Sequence, residues 1–400
     1  MTNGGFDTAR LDRMNRVMAG YVKSCEIPGV VTLLSRRGET HVHAYGTMAA
    51  GGGEPMRPDT IFRIASLSKP VAAVGAMILV EECRLRLDEP VDRFLPELAD
   101  RRVLKRLDGP TDDTEPARRP LTPRDLLTLR MGFGLILDPA AAAYPIQQAM
   151  SERGLAVGPG PVSLAPDEWL RRLGELPLMH HPGEVWMYDT ALDVLGVLIA
   201  RAAGQPLDDF LRERVFEPLG MKDTGFHVPP EKIERLPPFY RSDHENGGLA
   251  LYDPAAGGLW SRPPAFPSAR GGLVSTASDF HAFGEMLLNG GRHGRERILS
   301  RPSVQAMTTN QLQPGQADAS AMILGENRGW GLGMSVVTRR DGVAASPGRF
   351  GWDGGYGTSW SSDPAEGLTG ILLTQRLWDS PGGPGVYHDF WTCAYQAIDD

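Results

Sequence analysis

Ser66 and Lys69 stand three residues apart in RIASLSKPVAAVGAMILV, where a polar stretch gives way to a long apolar one. The chain has only five lysines, at positions 23, 69, 105, 222 and 232, so the setting of each is informative. Pro70 is tolerated only in the first turn of a helix, which predicts that Ser66 sits at a helix N-terminus. Free backbone N–H groups and the helix dipole favour negative charge there. A spacing of three puts Lys69 on the same face, one turn further in. The run that follows is apolar nearly all round, so the helix is expected to be buried. Burial lowers the pKa of an amine, and a neutral or proton-sharing lysine can activate a serine hydroxyl as a nucleophile. The same residues also read as a serine N-cap with a lysine snorkelling to solvent. The local pattern leaves both readings open.

A serine–lysine pair needs a third group to shuttle its proton. Tyr188, in HHPGEVWMYDTALDVLG, follows a Pro-Gly turn and precedes a helical pattern, a place from which a side chain can project into a cleft. A phenol, with a pKa of about 10, works as a base only beside positive charge, which Lys69 would supply. Taken alone, a tyrosine such as Tyr188 is more often a core or rim aromatic. Other chemistry finds less support. There is no Gly-x-Ser-x-Gly elbow, so Ser359 and Ser361 in GTSWSSDP read as strand residues. His41 and His43 alternate along a strand pattern without a third ligand, His180 and His181 adjoin a turn, and no His-Glu-x-x-His occurs, so no metal is expected. No Gly-x-Gly-x-x-Gly or phosphate-binding loop occurs, so no nucleotide cofactor is expected.

The elements that must position these residues follow from periodicity. Residues 7–25 carry apolar positions at helical spacing, and GVVTLLSRRGETHVHAYGTMA reads as two strands around a turn at 36–39. After Lys69 the pattern is helical for most of the next 190 residues, with LDEPVDRFLPEL, LTPRDLLTLRMGFG and APDEWLRRLGELP as helix starts and two helices meeting at Gly204. Residues 108–120 read as a charged, Pro-rich surface loop, and 240–272 as a long irregular segment. STASDFHAFGEMLLNGG predicts a helix, followed by three strand signals and a last helix near 387–398. Strands at both ends with helices between predict an α/β (α+β type) fold. Its mainly antiparallel sheet, flanked by helices, would be built from the N- and C-terminal parts around an inserted, mostly helical domain. The expected division is 1–75 with 270–400 as the sheet domain and 76–269 as the insert and cleft-lining loops, with a site in the cleft between them.

Composition narrows the classes. Hydrophobic residues at 41% and charged residues at 22% describe an ordinary globule, and a net charge of −8 argues against nucleic acid or an anionic membrane as main partner. Cys25, Cys83 and Cys393 are far apart and odd in number, which predicts buried thiols in a reducing compartment rather than disulfides. No signal-peptide pattern opens the chain and no stretch approaches roughly 18 apolar residues, so a cytoplasmic, non-membrane protein is expected.

Ser66-Leu67-Ser68-Lys69, Tyr188-Asp189-Thr190 and Trp352-Asp353-Gly354 resemble, in order and separation, the three motifs of the serine β-lactamase and penicillin-binding-protein superfamily. Connecting segments such as LDEPVDRFLPEL and ARGGLVSTASDFHAFGEMLLNGG are similar too, and the likeness spans about residues 10 to 395. Within the superfamily the chain most resembles class C β-lactamases and the family VIII carboxylesterases. That resemblance implies a β-lactamase/transpeptidase-like fold and acyl transfer through Ser66, with Lys69 and Tyr188 moving its proton. It implies an oxyanion hole of the Ser66 and Gly355 backbone N–H groups, which the glycines of GWDGGYG suit. It also implies that Trp352, Asp353, Gly354 and Thr190 bind substrate.

Two departures matter. Trp352 and Asp353 stand where β-lactamases and peptidases carry a cation and a hydroxyl for the substrate carboxylate, and Thr190 replaces an amide-binding Asn. An acid beside the site would repel anionic substrates. The expectation is a serine carboxylesterase for uncharged esters of small to medium acyl chains, with weak β-lactam hydrolysis and no cofactor. An acyltransferase with a non-water acceptor, a β-lactamase or amide hydrolase, and a catalytically silent ligand sensor are the alternatives. Segments 136–150 and 240–272 are expected to wall the pocket.

Overall fold

The computed structural model describes residues 4–158, 160–344 and 346–400. Its centre is one seven-stranded antiparallel sheet. The strands are β1 (Gly29–Arg36), β2 (Glu39–Gly46), β3 (Arg328–Trp330), β4 (Ser335–Val337), β5 (Phe350–Gly354), β6 (Thr358–Asp363) and β7 (Leu368–Thr374), in the order β3-β4-β5-β6-β7-β1-β2. The two ends of the chain meet in the middle of it: β1 pairs with β7, Val30 opposite Thr374 and Arg36 opposite Leu368. Five longer helices matter here: α1 (Thr8–Lys23), α2 (Ser68–Glu81), α3 (Thr190–Ala203), α4 (Ala277–Leu288) and α5 (Gly385–Gln396).

Because side chains alternate across a strand, β1 supplies two cores at once. Val30 and Leu34 pack with Leu11, Met14 and Met18 of α1 and with Phe390 and Ala394 of α5. Val31 and Leu33 face the other way, into the large cluster that contains α2, α3 and α4. Every residue of β1 is buried as a result, which is why its sequence reads as a near-continuous apolar run. The mixed α/β architecture with N- and C-terminal strands in one antiparallel sheet is thus as expected.

Local expectations fare unevenly. LDEPVDRFLPEL forms only two 3-10 turns, Val91–Arg93 and Pro96–Leu98, not a helix. Leu95, held before Pro96, takes φ −126° and ψ 64°, outside the helical region, which is the steric effect of a following proline. Part of the 108–120 loop is a strand, Thr114–Pro116, paired with Arg102–Leu104. The 240–272 segment begins as a hairpin, Phe239–Ser242 against Leu249–Asp253. Among the cysteines only Cys393 is buried; Cys25 and Cys83 are exposed, and all three are free. Cys25 and Cys83 lie just past the ends of α1 and α2 with φ of 61° and 58°, so they occupy helix-terminating positions at the surface.

Gly284 shows packing outranking propensity. It lies inside α4, and an added Cβ would come within 2.5 Å of the Trp360 indole nitrogen on β6. On propensity alone Gly→Ala in a helix gains about 1 kcal/mol; here overpacking of about 1–3 kcal/mol opposes it. Gly284→Ala is therefore expected to lower the thermal midpoint, as scanning calorimetry would read directly.

Candidate active site

The turn that carries Ser66 is clamped from both sides. Phe62–Arg63 pairs with Val274–Ser275, and the Ile64 N–H donates to the Leu273 carbonyl at 3.0 Å. Ala65 has φ of 47°, a left-handed backbone at the residue before the serine; a non-glycine residue there stores strain and marks a constrained site. Residues 65–67 form a 3-10 turn that runs into α2. Ser68, not Ser66, ties this junction, donating to the Ala65 carbonyl at 2.7 Å and accepting from the Leu273 N–H at 3.1 Å. The Ser66 hydroxyl is left facing a cavity, where it accepts a hydrogen bond from Lys69 Nζ at 3.0 Å. It caps no helix, and Lys69 does not snorkel, because it is fully buried.

The end of β5 closes on the same turn. A Cβ at Gly354 would lie 2.5 Å from the Ile64 carbonyl oxygen and 2.2 Å from Thr358 Oγ1, so only glycine allows the approach. The Gly354 carbonyl accepts from the Gly357 N–H at 3.0 Å within the β5–β6 turn. In a trans peptide the Gly355 N–H must then point the other way. Gly355 and Ser66 both line the cavity.

Lys69 Nζ has two more partners: the Asp189 carboxylate and the Arg270 backbone carbonyl, each at 2.7 Å. Asp189 also accepts from the Arg270 guanidinium at 2.5 Å, and Arg270 reaches Asp193 at 2.8 Å. Asp193 further accepts from the Ser268 hydroxyl at 2.7 Å. Burial pushes the Lys69 amine down, but the Asp189 charge, with Tyr188 and the hydrogen bond to Asp189, outweighs it and holds Lys69 above its ordinary range. The burial effect behind the expected neutral or proton-sharing lysine is therefore outweighed by the Asp189 charge. Burial pushes the Asp189 carboxyl up, and Lys69 and Arg270 more than compensate, holding it below the ordinary range. The stability these shifts contribute is complete between the two ordinary values. It is lost on the acid side as Asp189 takes up a proton, and on the alkaline side as Lys69 releases one.

Asp189 reaches Lys69 through an unusual backbone, φ 92° and ψ −71°, immediately before α3; this is the rare γ-turn region. The same turn delivers Tyr188, whose ring centroid is 4.4 Å from Lys69 Nζ. The Tyr188 hydroxyl accepts a hydrogen bond from Trp352 Nε1 at 2.7 Å. Trp352 is held in turn by Trp330, with ring centroids 4.8 Å apart, and Trp330 Nε1 donates to the Leu127 carbonyl at 3.0 Å.

The substrate-binding expectations are redistributed. Trp352 is buried behind Tyr188 and Gly354 packs on Ile64; neither lines the cavity. Asp353 follows Trp352 on a strand and so points to the opposite face of the sheet. There it accepts from Arg328 at 3.0 Å, Tyr387 at 3.1 Å and Ser359 at 2.6 Å, so its charge is neutralised away from the cavity. Thr190 begins α3, and its buried hydroxyl has no hydrogen-bond partner among the described residues. It faces a second chamber, of about 180 Å³, lined by Leu155, Trp169 and Asp193 among others. The cavity at Ser66, of about 250 Å³, is walled by Phe226, Leu259, Trp260, Pro264, Phe266 and Tyr356 among others. The later part of 240–272 thus forms a wall as expected. Segment 136–150 does not, its place being taken by Val157, Gly158, Gly160 and Pro161. Arg63, buried against Asp253 at 2.5 Å and 5.3 Å from the Trp260 ring centroid, pins the 253–260 wall beside the serine turn.

Sequence reasoning missed Asp189, Arg270 and Asp193. The signal for the first was present, an acid directly beside the tyrosine, but only the γ-turn aims it at Lys69. Among the described residues no group of three or more His, Cys, Asp or Glu side chains could hold a metal ion, and no helix is long and apolar enough to cross a membrane. Replacing Trp352 by Phe keeps most of the ring packing and removes the donor to Tyr188. The expected loss is about 1.5 kcal/mol, close to tenfold, in kcat for an ester with KM nearly unchanged, measured by steady-state kinetics.

Comparison with known proteins places this geometry. A model of the beta-lactamase family matches residues 14–384. Protein Rv1367c of Mycobacterium tuberculosis is 39% identical, over 88% of this chain and 87% of its own. Esterase EstB of Burkholderia gladioli is 32% identical, over 93% of this chain and 92% of its own. Among solved structures, EstCE1, a hydrolase with promiscuous acyltransferase activity, is similar with a TM-score of 0.77 at 25% identity, covering 98% of this chain and 99% of that one. The resemblance carried by the three motifs therefore holds over nearly the whole chain. The chain belongs to the beta-lactamase family and is an enzyme of its serine-hydrolase type, with esterases of the family VIII kind among its relatives.

Proposed function

We propose that this protein is a serine carboxylesterase acting on uncharged esters of small to medium acyl chains. The observation that carries the reading is the cavity at Ser66. Its walls are mainly apolar and aromatic, and its only charged lining residues among those described, Asp189 and Arg270, are already ion-paired. Nothing in that lining offers a cation to a substrate carboxylate. The third-motif position that carries the cation in β-lactamases is here Trp352, buried and turned to Tyr188. Esterase EstB, similar over most of both chains, agrees with the reading.

In this mechanism the Tyr188 phenolate takes the Ser66 proton while Oγ bonds to the carbonyl carbon. The carbonyl oxygen becomes an oxyanion held by the Ser66 and Gly355 N–H groups, donors worth a few kcal/mol each in the transition state. Collapse breaks the ester C–O bond, and the departing alkoxide takes the proton from Tyr188. Water then gives a proton to Tyr188 and attacks the acyl carbon, and the Ser66 oxygen leaves and recovers its proton. Throughout, the Lys69 hydrogen bond to Oγ stabilises charge developing on the serine. No cofactor enters these steps. Thr190 and Asp353 have no part in them, and Gly354 acts by letting β5 approach.

Acyl transfer to an alcohol runs through the same acyl-enzyme, and the apolar cavity would hold such an acceptor; EstCE1, with its promiscuous acyltransferase activity, favours this second reading. A cytoplasmic setting and a small-molecule partner rather than nucleic acid or membrane go with the proposal, supported by the free cysteines and the net charge of −8.

The test compares kcat/KM for p-nitrophenyl butyrate and for nitrocefin, a chromogenic cephalosporin, on the wild type and Ser66→Ala. Ester turnover at least a hundredfold above cephalosporin turnover, lost in the variant, is expected. Dominant cephalosporin turnover would make the protein a β-lactamase. Stable acylation of Ser66 with slow turnover of both would point to an acceptor other than water.

A further inference from the structure

Lys69 Nζ has three oxygen partners, Ser66 Oγ, Asp189 Oδ1 and the Arg270 carbonyl, at 3.0, 2.7 and 2.7 Å. An ammonium has three donors and no acceptor, and three oxygens around it satisfy it fully. A neutral amine would instead donate twice and accept the Ser66 proton, which is how a lysine base would work. What separates the two states is the carboxylate. Asp189 is largely enclosed at the cavity edge, lies in an ion pair with Lys69, and is held there by a γ-turn backbone that an aspartate adopts only under constraint. Arg270, clamped between Asp189 and Asp193, fixes the second oxygen of Asp189 so that the first stays on Lys69.

Resting on the esterase reading above, we propose that Asp189 is a positioning residue that locks Lys69 as an ammonium, so that Lys69 serves only as a donor to Ser66 and proton acceptance falls to Tyr188 alone. Lys69 and Arg270 share the Asp189 carboxylate, Arg270 also meets Asp193, whose carboxyl burial pushes up, and Lys69 Nζ stays 4.4 Å from the Tyr188 ring centroid. Removing the carboxylate would leave two buried cations, Lys69 and Arg270, with one buried anion, Asp193. Both burial and Arg270 would then act to strip Lys69 of its proton. The burial and coulombic balance on Lys69 agrees with the lock, but the arrangement of donors and the strained backbone carry it.

The chain has only five lysines, which makes a direct measurement practical. In protein labelled with [13Cε]lysine, the Lys69 signal is assigned by its absence in Lys69→Arg. In the wild type it is expected to show no titration between pH 6 and pH 9; a midpoint within that range overturns the proposal, whatever any variant does. In Asp189→Asn the signal is expected to titrate inside the range. The profile of kcat/KM for p-nitrophenyl butyrate against pH should then lose its alkaline plateau, with at least a tenfold fall at pH 9, while Asp189→Glu keeps the wild-type profile shape. If Asp189→Asn lowers the rate equally at every pH and leaves the Lys69 signal unmoved, Asp189 is merely structural and the proposal fails. Should Asp189→Asn not fold, the wild-type titration and the Asp189→Glu profile still decide. The lysine titration needs no substrate, so it stands apart from the ester test: a lysine that stays charged in a protein that turns over no ester defeats the functional reading and not the lock.

Discussion

The structure around Ser66 depends on four ionisable side chains, Lys69, Asp189, Arg270 and Asp193, linked by ion pairs and largely closed off from solvent. Each alone would be costly to bury, and removing one partner of such a pair costs about 3–5 kcal/mol because the other is left uncompensated. Together they tie the start of α2, the start of α3 and the 268–272 segment to one another, three parts of the chain that share no secondary structure. The cavity wall, the serine turn and the tyrosine turn are thus joined by one electrostatic knot, with only the short Phe62–Arg63 and Val274–Ser275 pairing beside it. Such a knot adds little stability beyond what apolar residues would give, but its geometry admits one arrangement of the serine, the amine and the phenol.

The sheet supplies the other half of the site by a simpler rule. Alternation along β5 turns Trp352 toward Tyr188 and Asp353 toward Arg328 and α5. Two neighbours with opposite chemical character therefore serve opposite faces of one strand. The next two residues are glycines, the first because β5 ends in contact with the serine turn, the second at the mouth of the cavity. A strand terminus of this kind performs three tasks in four residues: it holds the Tyr188 hydroxyl, neutralises a cation on the far side, and brings a glycine backbone to the cavity.

The parts of this arrangement legible in the sequence were those with short-range signatures. The helix after Ser66, the two opening strands, the helix break at Gly204 and the last helix all follow from periodicity and terminal residues, whereas Ser66, Lys69 and Tyr188 were only suggested by scarcity and spacing and were singled out by the resemblance of the three motifs. The illegible parts were set by long-range contact. Lys69 looked like a candidate for losing its proton because its own helix is apolar; the opposing carboxylate lies 120 residues away in the chain. Asp353 looked like a substrate filter because motif order places it beside Trp352, and only the pleat shows that it faces elsewhere. Segment 136–150 resembled a pocket wall in composition, yet Val157, Gly158, Gly160 and Pro161 took that place, since loop position follows from packing that composition does not encode. LDEPVDRFLPEL failed for a local reason, proline spacing, that could have been weighed more heavily.

The pairing of β1 with β7 has a consequence for how the protein comes into being. Ser66 and Gly355 lie far apart in the chain, so the two meet only when the strands around Gly355 dock beside β1. Long-range closure of this sort slows folding, and it makes the Ser66–Gly355 juxtaposition a product of the completed sheet rather than of either stretch alone.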